Sequence, residues 1–135
     1  MSFVDNYQLR KSLVAWLKAN STVTDTLDDA NEIREKDWQG EDFTYPNIRV
    51  TCAVSPGECN ATSATATIIY YSEKKSSKQA IQSQGIIAKQ IHEKDFTKES
   101  VKVFSLEVTD LPDAVQNDIG VWEANIELSL KANEV

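Results

Sequence analysis

Apolar positions recur at helical spacing near the N-terminus. Leu9, Leu13, Trp16 and Leu17 fall at i, i+4, i+7 and i+8, which places them on one face of a helix. Asp5 followed by Gln8 has the spacing of a capping box at its start. Asn20-Ser21-Thr22 ends the helix, and Val23 to Leu27 adds a short turn that tucks Val23 and Leu27 beneath it. Ile33 lies in a short, weak strand. From Asn47 to Val54 the period changes to two: Ile48, Val50, Cys52 and Val54 alternate with Arg49, Thr51 and Ala53, a half-buried strand. Ala61 to Ser72, rich in Thr, Ile and Tyr, predicts a second long strand.

A second helix follows, with Ser76 or Ser77 as its cap and a stripe of Ala80, Ile81, Gln84, Ile87, Ala88 and Ile91, ending near His92. Gly85 inside it costs about 1 kcal/mol relative to Ala, and either admits a close neighbour or is simply tolerated. Val101 to Thr109 alternates imperfectly, as a strand covered on both faces would. Asp110-Leu111-Pro112-Asp113 reads as a turn. Gly120 to Lys131 alternates strictly, with Trp122, Ala124, Ile126, Leu128 and Leu130 on one side, and pairs with Val101–Thr109 as an antiparallel hairpin. The order is α-β-β-β-α-β-β. It predicts one α+β domain over residues 1–135: a mostly antiparallel sheet of four to five strands with two helices on one face.

Length and charge refine this picture. A chain of 135 residues forms one domain with a core of its own. It carries 14 Lys+Arg against 21 Asp+Glu, a net charge of −7, which argues against general binding to nucleic acid by counterion release. The charge is uneven. Residues 28–60 hold eight acids and three bases, residues 101–135 seven acids and two bases, and residues 61–100 four acids and six bases. The N-terminus has neither a basic nor an apolar leader region, and no apolar run approaches 18 residues, so folding in a cytosol with no membrane partner is expected. Pro56 and Gly57 suit a turn; in that register Cys52 faces Ala61 and Cys59 faces Val54, too far apart diagonally for a disulfide. Two reduced cysteines are expected.

Candidate chemistry is sparse. His92, the sole histidine, falls at a helix C-terminus and reads as structural or solvated. The chain lacks the common nucleotide-binding, zinc-protease and serine-hydrolase motifs. Asp37, Glu41 and Asp42 cluster in one loop and Asp110, Asp113 and Asp118 in another, without EF-hand spacing. No catalytic residue, metal or cofactor is expected. The sharper signal is Trp38, Phe43 and Tyr45 in the first acidic loop, with Tyr45-Pro46 a candidate cis bond. These aromatics either fold back on the sheet or anchor a neighbouring subunit. The long terminal hairpin also offers strand edges to a partner.

In outline the chain resembles the tail terminator, or tail-completion, proteins of long-tailed bacteriophages. The resemblance lies in the first helix with its Leu9-Arg10-Lys11-Ser12-Leu13 and Trp16-Leu17 face and in the Ser21–Leu27 turn. It extends to the Phe43-Thr44-Tyr45-Pro46 step into the Ile48-Arg49-Val50 strand, and to the helix and strand pair that close the chain. It implies a structural virion protein with no active site, made in the host cytoplasm and resident in the virion tail. Such a protein forms a homo-oligomeric, hexameric ring that caps the tail tube, ends its polymerisation and joins the tail to the neck. Its partners would be the tail tube protein, and also sheath and neck or connector proteins. DNA would pass through without specific binding, since a channel lined by carboxylates repels phosphate.

Candidate subunit or tube contacts are Trp38, Phe43, Tyr45, Arg49, Lys74 and Lys75. Candidate acidic channel or interface residues are Asp37, Glu41, Asp42, Glu123 and Glu127. A head–tail connector or stopper is the alternative within assembly proteins. A small metal-dependent nuclease using the acidic loops is the alternative enzyme, and a monomeric binding module using the aromatics is a third reading.

Overall fold

Helix α1 (Asn6–Lys18) begins at the predicted cap: the Asp5 carboxylate accepts from the Gln8 backbone N–H at 2.8 Å, and the Gln8 side chain accepts from the Asp5 N–H at 3.0 Å. Leu9, Leu13 and Leu17 are fully buried beneath it. A four-residue helix α2 (Ser21–Thr24), capped by Asn20, buries Val23 and Leu27 as expected. The remaining elements of this computed structural model, which describes residues 3–38, 44–56 and 61–135, are a 3-10 turn (Ala30–Glu32), β1 (Ile33–Glu35), β2 (Asn47–Pro56), β3 (Thr62–Ser72), α3 (Lys78–Ile91), β4 (Phe96–Lys98), β5 (Val101–Asp110), β6 (Val115–Gln116) and β7 (Trp122–Glu134).

The architecture is α+β, with corrections. The sheet has seven strands rather than four or five, in the order β1-β2-β3-β7-β5-β4 with β6 also on β7, and its β1–β2 pair is parallel. Three of the added or weak strands are two or three residues long, below the length at which alternation is readable. There are three helices, because the Val23 turn is itself helical.

The core lies between the helices and one face of the sheet. Ile48 and Val50 of β2, Ala64, Ala66, Ile68 and Tyr70 of β3, and Ala124, Ile126, Leu128 and Leu130 of β7 point into it. The β2–β3 register differs from the expected one: Cys52 faces Ala66, not Ala61, and the ladder runs out to Pro56 opposite Thr62. A turn centred on Pro56-Gly57 would pair even with odd positions and send Ile68 and Tyr70 to the outer face. Burial of those side chains selects the other register, since a shift of one residue flips every side chain. Cys59 lies outside the described residues. The Cys52 thiol is half-buried and free, and burial pushes it up to about 11.

The predicted β5–β7 hairpin pairing is present, with β7 extended to Glu134. Its imperfect alternation has a different cause from the one expected. A bulge between Phe104 and Glu107 places Ser105 at φ +52°, so Val101 and Val103 face the core before it and Leu106 after it. The strand is thus buried on one face with a change of phase. The end of α3 fits this bulge: the Glu93 N–H donates to the Leu106 carbonyl at 3.0 Å, and His92 Nδ1 accepts from the Val108 N–H at 3.0 Å.

Candidate assembly surfaces

The outer face of the sheet is polar along most of its width, but its β1 side holds a dense charged and aromatic cluster. The parallel β1–β2 pairing sets Arg34 opposite Arg49, both directed away from the core that Ile33 and Ile48 enter. Arg49 is 3% exposed. Its guanidinium donates to the Glu32 carbonyl at 3.0 Å and meets the Glu32 carboxylate at 3.4 Å; Glu32 is equally buried. Burial lowers the Arg49 pKa, and Glu32 opposes that shift. Arg34 reaches the second Glu32 oxygen at 3.7 Å and lies 3.7 Å from the Trp38 ring centroid, with Arg49 5.6 Å from the same ring. Trp38 therefore folds back over two cations.

Beside this cluster, Tyr45, Asn47, Arg49, Tyr71 and Lys36 surround a cavity of about 210 Å³. Tyr71 is pushed up to about 12 by burial, then by the charge of Glu123 and a hydrogen bond to it. Asn47 is buried, and its Oδ1 meets no donor among the described residues.

A second surface projects from the sheet. Residues 111–121 leave β5, pair briefly through β6 with β7 (Val115 opposite Glu123, Gln116 opposite Trp122) and turn back at Asn117–Gly120. Asn117 fixes the tip: its Oδ1 accepts from the N–H groups of Ile119 and Val121 at 3.1 and 3.0 Å, and its own N–H donates to Val121 O at 2.8 Å. Gly120, at φ +86°, closes the turn. On this built arm Ile119 is 76% exposed and Val115 65%, with Leu111 also exposed at its base. Asp110, Asp113 and Asp118 carry its charge, and none pairs with a cation among the described residues.

The third surface is an open groove of about 570 Å³ between α2 and the first turns of α3. It is lined by Thr22, Asp25, Thr26, Lys74, Ser76, Lys78, Gln79, Gln82, Ser83 and the exposed Ile86. Tyr70 supports its floor by donating to the Thr26 carbonyl.

Compared with solved structures, the chain shares its fold with a chain of the virion of a native gene transfer agent particle. The likeness has a TM-score of 0.72 at 8% identity and covers 92% of this chain and 93% of that one. No protein-family model matches the sequence, and no curated protein sequence is similar to it.

Of the residues singled out by sequence, Trp38, Tyr45, Arg49 and Glu123 come together on the outer face. Arg49 is already engaged inside the fold. Asp37 pairs with Arg10 of α1 at 3.1 Å. Lys74 and Lys75 are exposed on the turn before α3, Lys74 at the groove. Glu127 lies on the outer face of β7 opposite Thr67. Glu41, Asp42 and Phe43 lie outside the described residues.

Tyr45-Pro46 is cis. The edges of β7 are not open to a partner along the paired region: β3 covers one side and β5 and β6 the other. No group of three His, Cys, Asp or Glu side chains converges as a metal site among the described residues, and no described helix is long and apolar enough to cross a membrane.

Sequence reasoning missed the arm. It weighed Asp110, Asp113 and Asp118 but not Leu111, Val115 and Ile119 at four-residue intervals between them. Apolar side chains in an otherwise acidic loop were the available signal, the same one read at Trp38.

Proposed function

We propose that this chain is a structural virion protein of a long-tailed phage or phage-like particle. It forms a ring that caps the tail tube, ends its polymerisation and joins the tail to the neck. The observation that carries this reading is the likeness of nearly the whole fold to a chain of a virion particle. The unmatched arm and groove add support, because a ring needs two different patches on each subunit. Genome passage through such a ring requires no binding site; carboxylates such as Glu123 and Glu127 at a channel would repel phosphate and let DNA slide.

The test is to add purified protein to polymerising tail tube protein of the same particle and image the products by negative stain. Rings on tube ends and an arrest of tube growth are expected. A protein that stays monomeric at high concentration and leaves tube length unchanged overturns the reading.

A further inference from the structure

We infer that the acidic arm of one copy seats in the lysine-bearing groove of the next, and that this head-to-tail contact joins the subunits. The inference deepens the ring reading and rests on it. The first argument is charge. Residues 110–121 contain Asp110, Asp113 and Asp118 and no Lys or Arg, while the groove carries Lys74 and Lys78 against Asp25, with Lys75 and Glu73 on the adjoining turn. None of these charges is matched within the chain among the described residues.

The second argument is apolar surface. Ile119 and Val115 stand in water on the arm, and Ile86 stands half-exposed in the groove. Joining them removes apolar area on both sides from solvent. The arm is also preorganised, because Asn117 and Gly120 fix its tip, so little conformational entropy is lost on docking.

The third argument is placement. Gln84 of α3 donates to Pro112 O at 2.9 Å and to Asn125 O at 2.6 Å, which sets the base of the arm against one side of that helix. Of the α3 residues lining the groove, Lys78, Gln79, Gln82 and Ile86 lie about 120–160° around the helix from Gln84, and Ser83 about 100°. Arm base and groove thus lie on different sides of one helix, so each copy can present a plug to one neighbour and a socket to the other, the requirement for a heterologous assembly.

The experiment uses two variants of the full chain: Ile119→Ser, which removes the arm's apolar tip without changing its charge, and Lys74→Glu with Lys78→Glu, which spoils the groove. All three substitutions are at exposed positions, and circular dichroism checks that both variants fold. Association is measured by sedimentation velocity and native mass spectrometry over a concentration series, and by capping of tail tubes. Each variant alone is expected to associate at least tenfold more weakly than the wild type. Mixed, they are expected to form a one-to-one dimer that grows no further, because only the intact arm of one and the intact groove of the other can meet. Restoring opposite charge, with Asp113→Lys and Asp118→Lys added to the groove variant, is expected to recover assembly.

Wild-type rings matched by equally good rings from both variants overturn the arm-and-groove contact and leave the ring reading standing. A wild type that remains monomeric, both free and on tubes, overturns both.

Discussion

Two charged regions of this molecule, each with large apolar or aromatic side chains beside its charges, differ in what those charges meet. In the outer-face cluster, Glu32, Arg34, Arg49 and Trp38 answer one another within the chain. In the arm, Asp110, Asp113 and Asp118 stand beside exposed Val115 and Ile119 with no cation paired to them among the described residues. A buried charge must be paired during folding, because its desolvation costs several kcal/mol per ion. An exposed one stays solvated and pays no such cost. The cluster is therefore a device of the fold, whereas the arm's charges are not needed by it and are free for the proposed subunit contact.

The sharpest way to break this contrast is to delete one acid from each region. Glu32→Ala removes the carboxylate 3.4 Å from the buried Arg49 guanidinium and is expected to cost about 3–5 kcal/mol. Asp118→Ala is expected to change stability by no more than about 0.5 kcal/mol. Urea denaturation of both variants checks this, and equal effects would erase the distinction. Next, Trp38→Ala removes the ring stacked on Arg34 and is expected to destabilise by about 1–2 kcal/mol without altering self-association. Loss of association with unchanged stability would instead make Trp38 a subunit anchor.

Gly85 separates stability from assembly. A Cβ there meets nothing within 4 Å among the described residues, so no described element needs its absence. Gly85→Ala is expected to raise stability by up to about 1 kcal/mol by thermal denaturation while leaving association as it was. The smallest effect is on pH dependence. Tyr71 holds its proton more tightly folded than unfolded, up to about 12 against an ordinary 10.0. Its contribution is complete below pH 10 and is lost as pH rises toward 12. Cys52, at about 11 against 9.0, follows the same sign from pH 9 upward. Tyr71→Phe and Cys52→Ala are each expected to flatten part of the alkaline fall in unfolding midpoint.

Legibility followed the physics of each element. The Asp5–Gln8 cap, the Leu9/Leu13/Leu17 face and the alternation of β7 were readable because each is satisfied by neighbours in sequence or by a single buried face. The bulge at Ser105 was not, because its reason lies in the end of α3, whose Glu93 and His92 bond to it from more than ten residues away. The β4–β5 turn was hidden as well. Glu99 and Ser100 both adopt positive φ, at 53° and 61°, without the Asn-Gly pair that usually announces such a turn.

The sequence by itself determined the helices, the long strands, the α+β class and the acidic balance, since these follow from periodicity and composition. Tertiary structure decided the rest. It chose the β2–β3 register by burying Ile68 and Tyr70, and it drew Arg49 into the fold by setting Glu32 within 3.4 Å through a parallel pairing. It also put the base of the arm and the groove on different sides of α3. A one-dimensional pattern shows which charges a chain carries; only their placement in space shows which of them the chain itself neutralises.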